Sequence, residues 1–140
     1  MARILIDTNA FINLATGNSD EFSRDVKAIL DDYENEFLIS MESVRELIVA
    51  YRTKNLLSKY WKSAHDMVDS IERDFNIQTV RTDMEVMRTM SDLIINEAQG
   101  HNDPSDHIII AHAMTLNLPL ISSDTKFPFY RKQGLDLIAY

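Results

Sequence analysis

Cysteine is absent from the 140 residues, which excludes disulfides and thiolate metal sites and fits a reducing compartment. Glycine and proline number three each, leaving little room for long loops, a linker or a low-complexity tract. No apolar stretch reaches the roughly 18 residues of a membrane span. The opening "MARILIDTNA" sets one Arg before a short apolar run that ends at Asp7, too brief for the hydrophobic region of a signal peptide. The expectation is a cytoplasmic protein with no membrane partner. Basic residues are the scarcer charge, 14 Lys and Arg against 22 Asp and Glu, for a net charge of −8. This balance argues against binding nucleic acid through broad backbone contacts. It leaves open a site that reaches phosphates through cations, a basic protein partner, or an excess that only keeps the surface soluble.

What is present is an ordinary globular composition, 45% hydrophobic and 26% charged, and the length predicts one domain spanning 1–140. "RILID" (3–7), "FLIS" (37–40) and "LPLISS" (118–123) read as short buried strands closed by polar residues, with "NIQTV" (76–80) and "LDLIA" (135–139) as weaker candidates. Between them the apolar spacing is helical. Val26, Ile29, Leu30 and Tyr33 share a face, as do Val44, Leu47, Ile48 and Tyr51, and Ile109, Ile110, Ala113 and Met114. Residues 55–73, with Leu56, Leu57, Tyr60, Ala64, Met67 and Ile71, read as one long helix or two short ones. Met84, Met87, Met90 and Ile94 trace a further stripe, read as core filling. Strands alternating with helices predict an α/β fold: a central, mainly parallel sheet of about four to five strands flanked by helices.

In an open parallel sheet ligands bind beyond the carboxyl ends of the strands, and four acids are expected there. Asp7 ends the first strand ahead of Thr8 and Asn9, and Asp124 follows "LPLISS"; either is also a good turn or cap residue. Glu46 falls about one turn into the helix opened by "ISMES", whose N-cap is Ser40. Ser43-x-x-Glu46 alternatively forms a capping box, or Glu46 is a solvated charge. In "HNDPSDHIIIAHA" (101–113) Asp103 suits an N-cap, Pro104 the first helical position and Asp106 the first turn, so this stretch is explained by helix initiation alone. Convergence is what separates the readings. Carboxylates about 4 Å apart repel by up to roughly 4 kcal/mol at an effective dielectric of 20, so four of them either share protons or hold a cation. Oxygen donors without Cys suit Mg²⁺ or Mn²⁺.

The segments "ILIDTNAFINL" (4–14), "ISMESVRELI" (39–48), "HNDPSDHIIIAHAMTLNLPLISSD" (101–124) and "KFPFY" (126–130), in that order and spacing, resemble the PIN-domain family. In particular they resemble the VapC-type toxins of bacterial and archaeal toxin–antitoxin pairs. The resemblance implies a PIN-like fold and a catalytic and metal-binding quartet of Asp7, Glu46, Asp106 and Asp124. Asp103 matches a frequent accessory acid, assigned to capping with outer-shell help, and Thr8, Asn9 and Ser122 fall where relatives place hydroxyl or amide groups. Many relatives carry a bulky apolar residue and an Arg where this chain has Ser105 and His107, a departure that bears on substrate contacts and helix packing. The implied activity is a Mg²⁺- or Mn²⁺-dependent endoribonuclease, with RNA as substrate, an antitoxin as partner and a homodimer as assembly. No histidine is needed in that scheme. His101, His107 and His112, whose other reading is a general base or zinc ligand, are read as structural or surface residues, since 107 and 112 diverge on a helix; Lys126, Arg45 and Arg131 are read as solvated surface ahead of a role in holding phosphates.

Other classes fare worse. A receiver domain wants an acidic pair beside Asp7, and an Asp-nucleophile phosphatase wants Asp at position 9, which is Asn. A catalytically silent PIN-like module that binds RNA or protein is the serious alternative, though it has no reason to keep four mutually repelling acids.

Overall fold

A computed structural model describes residues 1–53 and 57–140. Each predicted strand is present, β2 one residue longer than expected and the others shorter: β1 (Arg3–Ile6), β2 (Glu36–Ser40), β3 (Gln78–Val80), β4 (Leu120–Ser122) and β5 (Leu137–Ala139). They form one five-stranded sheet in the order β3-β2-β1-β4-β5, with every pairing parallel. The helices that connect them are α1 (Thr8–Ala15), α2 (Arg24–Asp31), α3 (Met41–Thr53), α4 (Ala64–Arg73), α5 (Met84–Asp92) and α6 (Pro104–Leu116). The sheet is therefore the all-parallel core of an α/β fold, and β1 is its switch point, with β2 on one side and β4 on the other.

Strand side chains alternate between faces, and β1 divides the core accordingly. Ile4 and Ile6 join Phe11, Ile39, Leu47, Met67 and Ile71 on one side. Leu5 joins Leu38, Ile109, Ile110, Leu120, Phe127 and Tyr130 on the other. Because both faces are covered, the central strands read as continuous aliphatic runs rather than alternating ones. Helix α6 lies deep in the second layer, with Ile109, Ile110, Ala111, His112 and Ala113 all buried.

Several details of the sequence reading change. Tyr33 lies beyond α2 and is fully exposed. Residues 54–56 of the predicted 55–73 segment, Leu56 among them, lie outside the described residues; beyond them come a 3₁₀ turn (Leu57–Lys59) and then α4. The methionine stripe is not core filling as a whole. α5 turns Val86 to the core, while Met84 is 65% exposed and Ile94, past the helix end, is 70% exposed. With apolar residues at 84, 86, 87, 90 and 93 two adjacent stripes compete, and the one containing the β-branched Val86 is buried. Among the described residues no helix is long and apolar enough to cross a membrane.

Candidate functional site

Three helix starts and the turn after β4 meet at the carboxyl edge of β1, β2 and β4, and each brings acids with it. Asp7 follows β1 and is the N-cap of α1, its Oδ1 accepting the Thr8 N–H at 2.8 Å. Its own N–H donates to the Ile121 carbonyl of β4 at 3.0 Å, and Oδ2 accepts the Ser122 hydroxyl at 2.7 Å. Asp7 is thus buried with both oxygens engaged. Burial, opposed by these two hydrogen bonds and reinforced by Asp106 and Asp124, pushes its carboxyl up to about 6.

At the start of α3, Ser40 accepts the Glu42 N–H at 3.1 Å, which bears out Ser40 as the cap. The alternative capping box is not formed: the Ser43 hydroxyl, among the described residues, has no hydrogen-bond partner, and Glu46 Oε1 instead accepts the Thr8 hydroxyl at 2.7 Å. Burial raises the Glu46 carboxyl, with the Thr8 bond opposing and Asp7, Asp103 and Glu42 adding to the shift.

The start of α6 follows the helix-initiation grammar. Asp103 caps through Oδ1 to the Ser105 N–H at 2.9 Å, Pro104 opens the helix, and Asp106 sits in its first turn. Burial and then the charges of Asp103, Asp124 and Glu46 push Asp106 up to about 7, with Lys126 opposing. Asp124, after β4, is held by its N–H to the Ser122 hydroxyl at 3.1 Å, and its Oδ1 accepts the Lys126 N–H at 2.8 Å.

These acids line one cleft of about 340 Å³ together with Thr8, Asn9, Arg45 and Ser105. One ligand atom from each of Glu46, Asp103 and Asp106 lies within 4.8 Å of the others, and the same holds for His101, Asp106 and Asp124. Asp7 belongs to neither trio, and it couples to the cluster through its charge. A larger hollow, about 1160 Å³, lies at the opposite, amino edge around Phe37, Phe75 and Ile77 and holds none of these residues. The donor set lining the cleft is carboxylate oxygen with no thiolate, which fits a hard divalent cation. Burial first, and the charge of neighbouring acids after it, raise the carboxyls of Asp7, Glu46 and Asp106, and a bound cation would relieve the repulsion.

Residues read as bystanders hold this edge together. Ser105 donates to Glu42 Oε1 at 2.8 Å and accepts from Arg45 at 2.6 Å, tying the first turn of α6 to α3. Arg45 also pairs with Glu42, and Arg131 donates to the Leu137 carbonyl at 3.2 Å. Of the histidines, His112 is buried against the Ser40 hydroxyl at 2.9 Å, which agrees with a structural role. His101 is buried as well, and burial holds its imidazole below the usual histidine range. Its contact with Asp106, Nε2 to Oδ2 at 3.0 Å, had no signal in the sequence beyond a five-residue separation across a helix start. Tyr130, which holds the other ring nitrogen, lies far along the chain and was not singled out.

The family model for the PIN domain matches residues 4–134: the chain belongs to the PIN-domain family. Solved structures share the fold over nearly the full length of both chains. The crystal structure of VapBC2 from Rickettsia felis bound to a DNA fragment from their promoter has a TM-score of 0.73 at 15% identity, covering 99% of this chain and 98% of that one. DNA-bound VapBC from Salmonella typhimurium gives 0.67 at 15% identity, covering 99% and 98%. FitAcB from Neisseria gonorrhoeae gives 0.65 at 20% identity, covering 96% of each chain. No curated protein sequence matches this chain.

Proposed function

We propose that this chain is a Mg²⁺- or Mn²⁺-dependent endoribonuclease and the toxin of a toxin–antitoxin pair, acting in the cytoplasm as a homodimer restrained by an antitoxin. The observation that carries the catalytic half is the gathering of Asp7, Glu46, Asp106 and Asp124 around one cleft, with the carboxyls of Asp7, Glu46 and Asp106 raised by burial and by neighbouring charge. The antitoxin half rests on the likeness of fold to structures described as VapBC complexes.

Asp7, Glu46, Asp106 and Asp124 would hold the cation, with Asp103 beside them. When bound, a divalent ion supplies neutralising charge for a scissile phosphodiester and lowers the pKa of an attacking water. The chain's own contribution is to hold its carboxylates still. Thr8 fixes Glu46, Ser122 fixes Asp7 while also seating the Asp124 backbone, and Asp103 fixes the first turn that carries Asp106. The Thr8 and Ser122 hydroxyls favour the ionised forms of Glu46 and Asp7 over the neutral acids, which works against the effect of their burial.

The test is cleavage of a panel of structured RNAs. Cutting in Mn²⁺, none in EDTA, and a loss of at least about 100-fold in Asp7→Asn are expected. RNA bound but left intact in Mn²⁺ would identify a silent binding module instead. Mixing with the product of the adjacent gene should give a stable complex that suppresses cutting, and no complex would remove the antitoxin assignment.

A further inference from the structure

His101 stands just ahead of α6, 1% exposed, with both ring nitrogens engaged. Nδ1 lies 2.9 Å from the Tyr130 hydroxyl, and Nε2 lies 3.0 Å from Asp106 Oδ2. The Tyr130 oxygen also accepts the backbone N–H of Asn96 at 3.1 Å. Donor counting fixes the direction of this chain. The Asn96 N–H can only donate. The Tyr130 hydroxyl carries one hydrogen, and among the described residues its only other partner is His101 Nδ1. A proton on Nδ1 would give the tyrosine oxygen two donors and strand its own hydrogen inside a fully buried side chain, at a cost of about 1–3 kcal/mol. The satisfied arrangement runs one way: Asn96 N–H to Tyr130, Tyr130 O–H to Nδ1, and Nε2–H to the Asp106 carboxylate.

The ring is clamped as well as protonated. His107 Nε2 lies 2.8 Å from the His101 carbonyl; a carbonyl only accepts, so His107 donates. The two imidazoles meet edge to face with centroids 4.9 Å apart. The His at 107, where the resemblance leads one to expect Arg, is therefore spent on holding His101.

We infer that His101 is a positioning residue for the candidate cation site. Its Nε2–H, in the tautomer set by Tyr130 and Asn96, holds one oxygen of Asp106 and leaves the other without a hydrogen bond among the described residues. This rests on the divalent-cation reading of the cleft. The rival is direct ligation, since His101, Asp106 and Asp124 bring ligand atoms within 4.8 Å of one another. Ligation requires Nε2 to lose its proton, which strands the Tyr130 hydrogen; the hydrogen-bond chain therefore favours positioning. Partners that orient metal ligands typically change metal affinity by about 10–100-fold when removed.

Two measurements on the full chain test this. In ¹⁵N-histidine spectra, His101 is expected with Nε2 protonated and Nδ1 bare, both without cation and with saturating Mg²⁺. A proton on Nδ1, or loss of the Nε2 proton on adding Mg²⁺, overturns the assignment. Mn²⁺ titration followed by electron paramagnetic resonance supplies the second readout. His101→Gln keeps an acceptor for Tyr130 and a donor for Asp106, and should bind within about threefold of wild type. His101→Leu should bind about 10–100-fold more weakly. Tyr130→Phe, the check if His101→Leu does not fold, should weaken binding about tenfold and redistribute the tautomer. Wild-type affinity in both His101→Leu and Tyr130→Phe overturns the positioning role alone. Failure of wild type to bind Mn²⁺ overturns the cation reading together with it.

Discussion

Replacing Asp106 by Asn asks the cleft directly whether its acids are there to start helices or to hold a cation. Asp106 is pushed up to about 7 from an ordinary 3.8. A carboxyl with a raised folded-state value binds its proton more tightly in the folded chain than in the unfolded one. Its contribution is therefore favourable at low pH and is lost as pH rises from about 4 through about 7. At pH 8 the accumulated cost, at about 1.36 kcal/mol per pH unit between the two values, is at most about 4 kcal/mol, because the His101 Nε2–H favours the ionised carboxylate and works against it. Asn keeps an acceptor for the His101 Nε2–H, carries no charge, and forfeits up to about 1 kcal/mol of the first-turn acid's interaction with the helix dipole. The balance is at most about 3 kcal/mol in favour of metal-free Asp106→Asn at pH 8, or up to about 9 °C in midpoint at about 3 °C per kcal/mol for a chain of this size.

Cation offsets this difference. Mn²⁺ at about a hundred times its dissociation constant adds about 2.7 kcal/mol to the folded wild type, roughly 8 °C on the same scale, and should add little to the variant. Thermal unfolding by circular dichroism in EDTA and in Mn²⁺, at pH 8 and pH 4, measures all of this. The variant's advantage should be present in EDTA at pH 8 and fade towards pH 4, close to the unfolded-state value, where little of the cost has accumulated. A variant less stable than wild type in EDTA at pH 8, with equal responses to Mn²⁺, would refute the argument and leave Asp106 a helix-start residue.

The supporting bonds and the core give independent checks. Ser122→Ala removes the donor to Asp7 Oδ2 and the acceptor of the Asp124 N–H; urea unfolding at pH 7 should show a loss of about 1–3 kcal/mol. Thr8→Val deletes the hydroxyl that Glu46 accepts, so Mn²⁺ should bind several-fold more weakly, read by titration, with unfolding changed by no more than about 1 kcal/mol. Phe11→Ala empties a fully buried position stacked on Trp61 and edge-on to Phe75. It should cost about 3–5 kcal/mol, and the single tryptophan reports the loosened packing by fluorescence.

The strands were legible because buried parallel strands are continuous apolar runs with polar ends, and "RILID", "FLIS" and "LPLISS" contain little else. The order of pairing was not, since nothing in a strand's own residues says that β1 sits between β2 and β4. Helix α6 was found by its start, Asp103-Pro104, more than by its faces, because a helix buried nearly all round has no polar side to mark it. The methionines misled for the opposite reason: α5 is nine residues long, too short for periodicity to choose between neighbouring stripes. In the site, the acids were visible because strand ends and first helix turns are marked by local grammar. The links from His101 to Tyr130 and from Ser105 to Glu42 and Arg45 join elements distant in sequence and leave no local signature.

Capping and holding are in the end the same placement. Asp7 spends one oxygen on the Thr8 N–H and the other on Ser122; Asp103 caps α6 and stands in a trio with Glu46 and Asp106. A parallel sheet delivers helix starts to one edge, and each helix start stabilises a nearby carboxylate by about 0.3–1 kcal/mol. That offsets only part of the cost of burial and of the repulsion among several such groups, which is why Asp7 and Asp106 remain well above the ordinary aspartate range. Helix initiation alone would be served by Ser or Asn at position 7 and by a neutral residue at position 106. The acid at each is what capping leaves unexplained and a bound cation accounts for.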